Sequence, residues 1–126
     1  MTPKFFLVDD NPIDLMVNKK LLNNSFANCS ITAFNNSTDA VKYFEENVNN
    51  RSFLPTVLLL DIIMPRLDGF EFIEKLELIF SKNIPFKIFL LSSTLDDADF
   101  EKARENKAVN TILGKPLETE LLRELI

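Results

Sequence analysis

The stretch KFFLVDDNP, residues Lys4 to Pro12, carries four consecutive apolar residues, Phe5 to Val8, straight into two adjacent acids, Asp9 and Asp10. An apolar run without polar alternation fits a strand covered on both faces. Two neighbouring carboxylates at its end are unfavourable unless water or a cation holds them. Further short β-rich runs follow at Ser30–Phe34, Thr56–Leu60, Lys87–Leu91 and Thr111–Leu113. Polar residues cluster where these runs stop: Asp61 after the third, Ser92-Ser93-Thr94 after the fourth, Lys115-Pro116 after the fifth.

Helical spacing fills the gaps. Ile13, Met16, Val17 and Leu21 mark the inward face expected of a first helix. A second spans Thr38 to Asn47, with Ser37 as N-cap and Ala40, Val41 and Phe44 inward. Phe72, Ile73, Leu76, Ile79 and Phe80 give a third, entered just after Gly69. A weaker fourth lies near Asp97–Asn106, where Ala98, Phe100 and Ala103 are apolar. Leu117, Leu121, Leu122 and Leu125 mark a fifth. Pro55, Pro85 and Pro116 punctuate the joins. Alternating strands and helices predict an α/β domain with a five-stranded parallel sheet.

The chain has 126 residues, enough for one domain with a full core, expected over residues 1–126. The last helical stretch runs up to Ile126, and a longer parent chain is compatible with it. The formal net charge of -5 does not favour a nucleic-acid surface. No apolar stretch approaches the roughly 20 residues of a membrane span, and no signal peptide is evident. One cysteine, Cys29, excludes an internal disulfide and accords with a reducing, cytoplasmic setting. Histidine is absent, which removes histidine metal ligands, a Ser-His-Asp triad and a histidine base from this chain.

In open parallel sheets the ligand site lies beyond the carboxyl ends of the strands, at the switch point in strand order. With strand order 2-1-3-4-5, Asp9, Asp10 and Asp61 converge in one cleft with a hydroxyl and the Lys115 ammonium beside them. Three carboxylates there call for a counter-charge. A hard divalent ion such as Mg²⁺ suits oxygen ligands. One carboxylate could then attack a phosphoryl group. Each residue also has a plainer role taken singly: Asp10 or Asn11 as a helix N-cap, Asp61 as a turn residue, Ser92 and Ser93 as capping hydroxyls, Lys115 as a surface charge. The ordered set at four strand ends carries the inference.

The segments FLVDDNP, LLLDIIMPRLDGFEF, FLLSS and LGKPL closely resemble the receiver domain of two-component response regulators, over essentially the whole chain. That resemblance implies a flavodoxin-like (βα)5 three-layer sandwich with strand order 2-1-3-4-5. It implies that Asp61 accepts a phosphoryl group from a phosphohistidine on a sensor histidine kinase or histidine phosphotransfer protein. Asp9, Asp10, Asp61 and the backbone carbonyl of Ile63 are then the Mg²⁺ (or Mn²⁺) ligands. Lys115 contacts the phosphoryl group, its bond to Pro116 being cis. Ser92 is the switch hydroxyl, with Ser93 as the alternative register.

The same resemblance implies a cytoplasmic signalling domain, monomeric or weakly dimeric. It would catalyse only its own phosphorylation and dephosphorylation and engage an unknown downstream protein, with no direct nucleic-acid contact and no membrane insertion. Two positions depart from the family pattern. Ile112 stands where an aromatic switch residue is common. Ile63 cannot hydrogen-bond an attacking water, so slow self-hydrolysis is expected. A Mg²⁺-dependent phosphatase with an aspartyl nucleophile would want a second acid at position 63. A pseudo-receiver would have lost the acid pair, the acceptor or the lysine. A nucleotide or flavin binder would want a phosphate loop, which Gly69 and Gly114 do not form.

Overall fold

The computed structural model describes residues 2–94 and 96–126. Strands and helices alternate throughout: β1 (Lys4–Val8), α1 (Pro12–Ser25), β2 (Ser30–Phe34), α2 (Ser37–Asn47), β3 (Val57–Asp61), α3 (Gly69–Ile79), β4 (Lys87–Ser92), α4 (Asp97–Glu105), β5 (Val109–Gly114) and α5 (Thr119–Leu125). The strands form one parallel sheet in the order β2-β1-β3-β4-β5. This is the flavodoxin-like arrangement expected, and it puts β1 beside β3 at the switch point.

The sheet has a core on each face because successive side chains point to opposite sides of a strand. Phe6, Val8, Leu58, Leu60, Ile88 and Leu90 join one core, with Ala40, Phe44, Phe72, Ile73, Leu76 and Ala103 from α2, α3 and α4. Phe5, Leu7, Val57, Leu59, Phe89 and Leu91 join the other, with Leu15 and Leu22 of α1 and Leu122 of α5. Phe44 is a hub of the first core. Its ring lies 5.7 Å from Phe6, 6.2 Å from Phe72 and 5.3 Å from Phe86. The two edge strands read differently from the central ones, and β2 is mostly exposed or half-buried.

Alternation also decides where the strand-end polar residues point. Asp9 continues the parity of Phe5 and Leu7, and Asp61 that of Val57 and Leu59. Lys115 continues that of Leu113, also in the second core. All three therefore project toward the α1 side of the sheet.

Several helix faces differ from the sequence expectation. Ile13 and Met16 are each 64% exposed, Val17 is exposed, and the buried face of α1 is Leu15, Asn18 and Leu22. The polar Asn18 sits in the middle of the true stripe, so counting apolar residues selected the wrong phase. Asn18 Oδ1 accepts from the Leu117 amide at 3.4 Å, which gives this buried side chain a partner. The N-cap of α2 is Asn36, whose side chain accepts from the Asp39 amide at 2.8 Å; Ser37 is the first helical residue and is buried. Ala98 faces solvent, and of the α5 leucines only Leu122 is buried, Leu121 and Leu125 being exposed.

Gly69 opens α3 against the end of β3. Its amide donates to the Ile62 carbonyl at 2.7 Å. A Cβ at this position would lie 2.8 Å from the Asp61 carbonyl oxygen and 3.0 Å from Ile62 Cα. The glycine is required by close backbone approach, not by a left-handed φ. Gly69→Ala is expected to destabilise the protein by about 2–3 kcal/mol through forced separation of α3 from β3, measured as a lower urea midpoint. An unchanged midpoint would show that the helix can slide away freely.

Candidate functional site

The loop after β1 settles the alternatives for the acid pair. Asn11 is the N-cap of α1, its Oδ1 accepting from the Ile13 amide at 2.9 Å and the Asp14 amide at 3.2 Å, with Pro12 as the first helical residue. Asp10 is thereby free of capping and exposed. Asp9 is buried and both its oxygens are engaged. Oδ1 accepts from the Asn11 amide at 2.9 Å and Oδ2 from Lys115 Nζ at 2.9 Å.

Val8 pairs with Leu60 across β1 and β3, so the next step of the ladder sets Asp9 beside Asp61. Asp61 is 6% exposed, and one oxygen of each of Asp9, Asp10 and Asp61 lies within 4.8 Å of the others. An all-carboxylate set of this size could hold a hard divalent cation. Asp10 and Asp61 have the oxygens least committed to the protein for that purpose, whereas those of Asp9 are already bonded.

Lys115 follows β5, and its backbone amide donates to the Ser92 carbonyl at 3.0 Å. The Lys115-Pro116 bond is cis, as expected. The Lys115 ammonium lies 2.9 Å from Asp9, 3.0 Å from Asp61 and 3.1 Å from Asp14. Burial works against its charge, but contacts with Asp9, Asp61 and Asp14 outweigh that and hold it above the ordinary lysine value. For Asp61, burial pushes the carboxyl up to about 6; the Lys115 contact opposes this and the nearby Asp9 charge adds to it.

Ser92 ends β4, pairs with Gly114 and is buried, its hydroxyl bonded to the Thr94 carbonyl. Ser93 is exposed. Ile112 is buried in the core that includes Ala103 of α4. The Ile63 side chain is 68% exposed at the rim. A wide concavity lies elsewhere, around Leu54, Val57, Phe86 and Ile126 at the amino ends of the strands, and is lined by no acidic residue.

A family model for the response regulator receiver domain matches residues 5–126. The chain belongs to this family. The receiver domain is 35% identical to a response regulator receiver protein from Dyadobacter fermentans, with a TM-score of 0.83 over 97% of this chain and 93% of that one. A two-component response regulator from Cytophaga hutchinsonii is 26% identical, with a TM-score of 0.89 over 99% and 95% of the two chains. Among curated proteins, stress response regulator protein 1 of Lodderomyces elongisporus is 31% identical over 120 residues. The match covers 94% of this chain but 30% of that relative's length. The protein is thus a response regulator receiver domain of two-component signalling, a family in which an acidic pocket binds Mg²⁺ and aspartyl phosphorylation is typical. Among the described residues, no helix is long and apolar enough to cross a membrane.

Sequence reasoning missed Asp14. Its inward place follows from the phase of α1, which the exposed apolar Ile13, Met16 and Val17 disguise. The Asn11 cap and the i, i+4 relation of Asp14 to Asn18 are the signals that place it on the inward side.

Because Asp61 is buried and its carboxyl raised, the metal-free folded protein binds that proton more tightly than the unfolded chain. Stability is then expected to fall as pH rises from the unfolded value of 3.8 through about 6. Asp61→Asn should remove this decline and raise stability at neutral pH by about 1–3 kcal/mol, read from urea melts in EDTA. A variant less stable than wild type would mean that the Lys115 contact outweighs burial.

Proposed function

We propose that the receiver domain, read as one unit over residues 1–126, accepts a phosphoryl group on Asp61 from a phosphohistidine of a sensor kinase or phosphotransfer protein. The observation that carries this reading is a buried Asp61 at the carboxyl end of β3, flanked by the acid pair and by Lys115. Asp9, Asp10, Asp61 and the Ile63 backbone carbonyl would hold Mg²⁺ or Mn²⁺. When bound, that ion would offset negative charge on the oxygens of the transferring group.

In the transfer, an Asp61 carboxylate oxygen attacks phosphorus in line as the bond to the imidazole nitrogen breaks. Lys115 already stands 3.0 Å from Asp61 and can contact the arriving oxygens without a large movement. The Ser92 hydroxyl, buried next in register to Gly114, would turn from Thr94 toward the new group; the exposed Ser93 is the less favoured choice. That turn would bias the α4, β5 and α5 surface, through which a downstream protein would be engaged. The domain would act catalytically only on itself, gaining and losing its own phosphoryl group.

The exposed Ile13, Met16, Val17 and Ile63 adjoin the acid pocket in sequence. A phosphodonor must cover this rim to reach Asp61, and these side chains offer it apolar contact.

Incubation with acetyl phosphate and Mg²⁺ should add one phosphoryl mass to wild type, and none to Asp61→Asn or to wild type in EDTA. Equal labelling of Asp61→Asn would remove the assignment. Because Ile63 offers no hydrogen bond to an attacking water, the phosphorylated protein should persist for minutes or longer after the donor is removed. Decay within seconds, followed by the same mass shift, would refute that role for position 63.

A further inference from the structure

We propose that Asp14 is a positioning residue that competes with the phosphoryl group for the Lys115 ammonium, so that its charge weakens capture of phosphoryl-like ligands. The inference rests on the reading of Asp61 given above.

An ammonium has three N–H donors. In Lys115 they face three carboxylates, Asp9 at 2.9 Å, Asp61 at 3.0 Å and Asp14 at 3.1 Å. A new oxygen on Asp61 takes over the donor that faced the Asp61 carboxylate and competes with Asp9 and Asp14 for the ammonium. Asp9 is poorly placed to yield, because it is buried and its other oxygen is bonded to the Asn11 amide. Asp14 is the partner free to let go. Its side chain is 36% exposed, so water can replace the lysine.

Asp14 also belongs to a larger arrangement. Asn18, one turn further along α1, accepts from the Leu117 amide. Ser25 Oγ donates to Thr119 Oγ1 at 2.8 Å. One helix thus holds the segment after β5 by its backbone at Leu117 and by its charged side chain at Lys115. The backbone hold is indifferent to charge, whereas the Asp14 contact is electrostatic and opposes an anion at Asp61 twice. It retains the lysine, and it repels the incoming negative charge directly. An acid in a first helical turn is ordinarily explained by the helix dipole. That explanation requires no contact with a lysine 101 residues away.

The probe is beryllium fluoride with saturating Mg²⁺, a phosphoryl mimic. Its binding is read by calorimetry because the chain has no tryptophan to report it. Asp14→Asn should bind it about 3- to 10-fold more tightly than wild type, and Asp14→Ser should follow. The gap should narrow at high salt, because a part-exposed charge is screened. Asp14→Glu, which keeps the charge, should stay near wild type. Glu74→Gln, an exposed charge on α3, controls for net charge. Equal or weaker binding by Asp14→Asn, or an equal gain in Glu74→Gln, overturns the proposal while leaving the Asp61 reading intact. Absence of binding by every form overturns both.

Discussion

The Lys115 ammonium, shared among Asp9, Asp14 and Asp61, is the interaction on which the rest of the site depends. Without it, two buried carboxylates would face each other at the carboxyl end of the sheet, an arrangement that burial and like charge both oppose. With it, the acids stay together in a pocket that still presents Asp10 to solvent. Burial first, and the nearby Asp9 charge after it, keep the Asp61 carboxyl raised despite the lysine. A residual demand for positive charge is what makes a divalent ion a fitting occupant.

Two features of the fold hold that arrangement. The period of a strand sends Asp9, Asp61 and the residue after β5 to the same side of the sheet, where α1 lies. The close approach of Gly69 to the Asp61 carbonyl then locks the start of α3 to the end of β3. Beneath them, cores on both faces pack the central strands, while Ile63 and Lys115 stand just beyond the strand ends.

Under the proposed function, α1 serves two purposes with two faces. Its outward face exposes Ile13, Met16 and Val17, which follow the acid pair in sequence. Its inward face carries Asp14 and Asn18 toward the segment after β5. Contact with the donor and control of the lysine would be built on the same fourteen residues. The relatives are informative about the domain alone, since the curated stress response regulator extends far beyond the matched region.

The strands, their parallel arrangement and the place of Asp9, Asp10, Asp61 and Lys115 at strand ends were legible in the amino-acid sequence, because continuous apolar runs and the polar residues that end them are local signals. β1 and β2 occupy the bounds read from the sequence alone. Helix phase was not legible in the same way. The buried face of α1 includes a polar asparagine whose partner, Leu117, lies 99 residues away, and the exposed face is apolar. Only tertiary structure could turn Asp14 inward, since its value as a neighbour of Lys115 arises when α1 packs against the sheet. Local pattern decides which segments become strands and helices; which side chains share a charge is decided by packing, because electrostatic neighbours are set by distance in space.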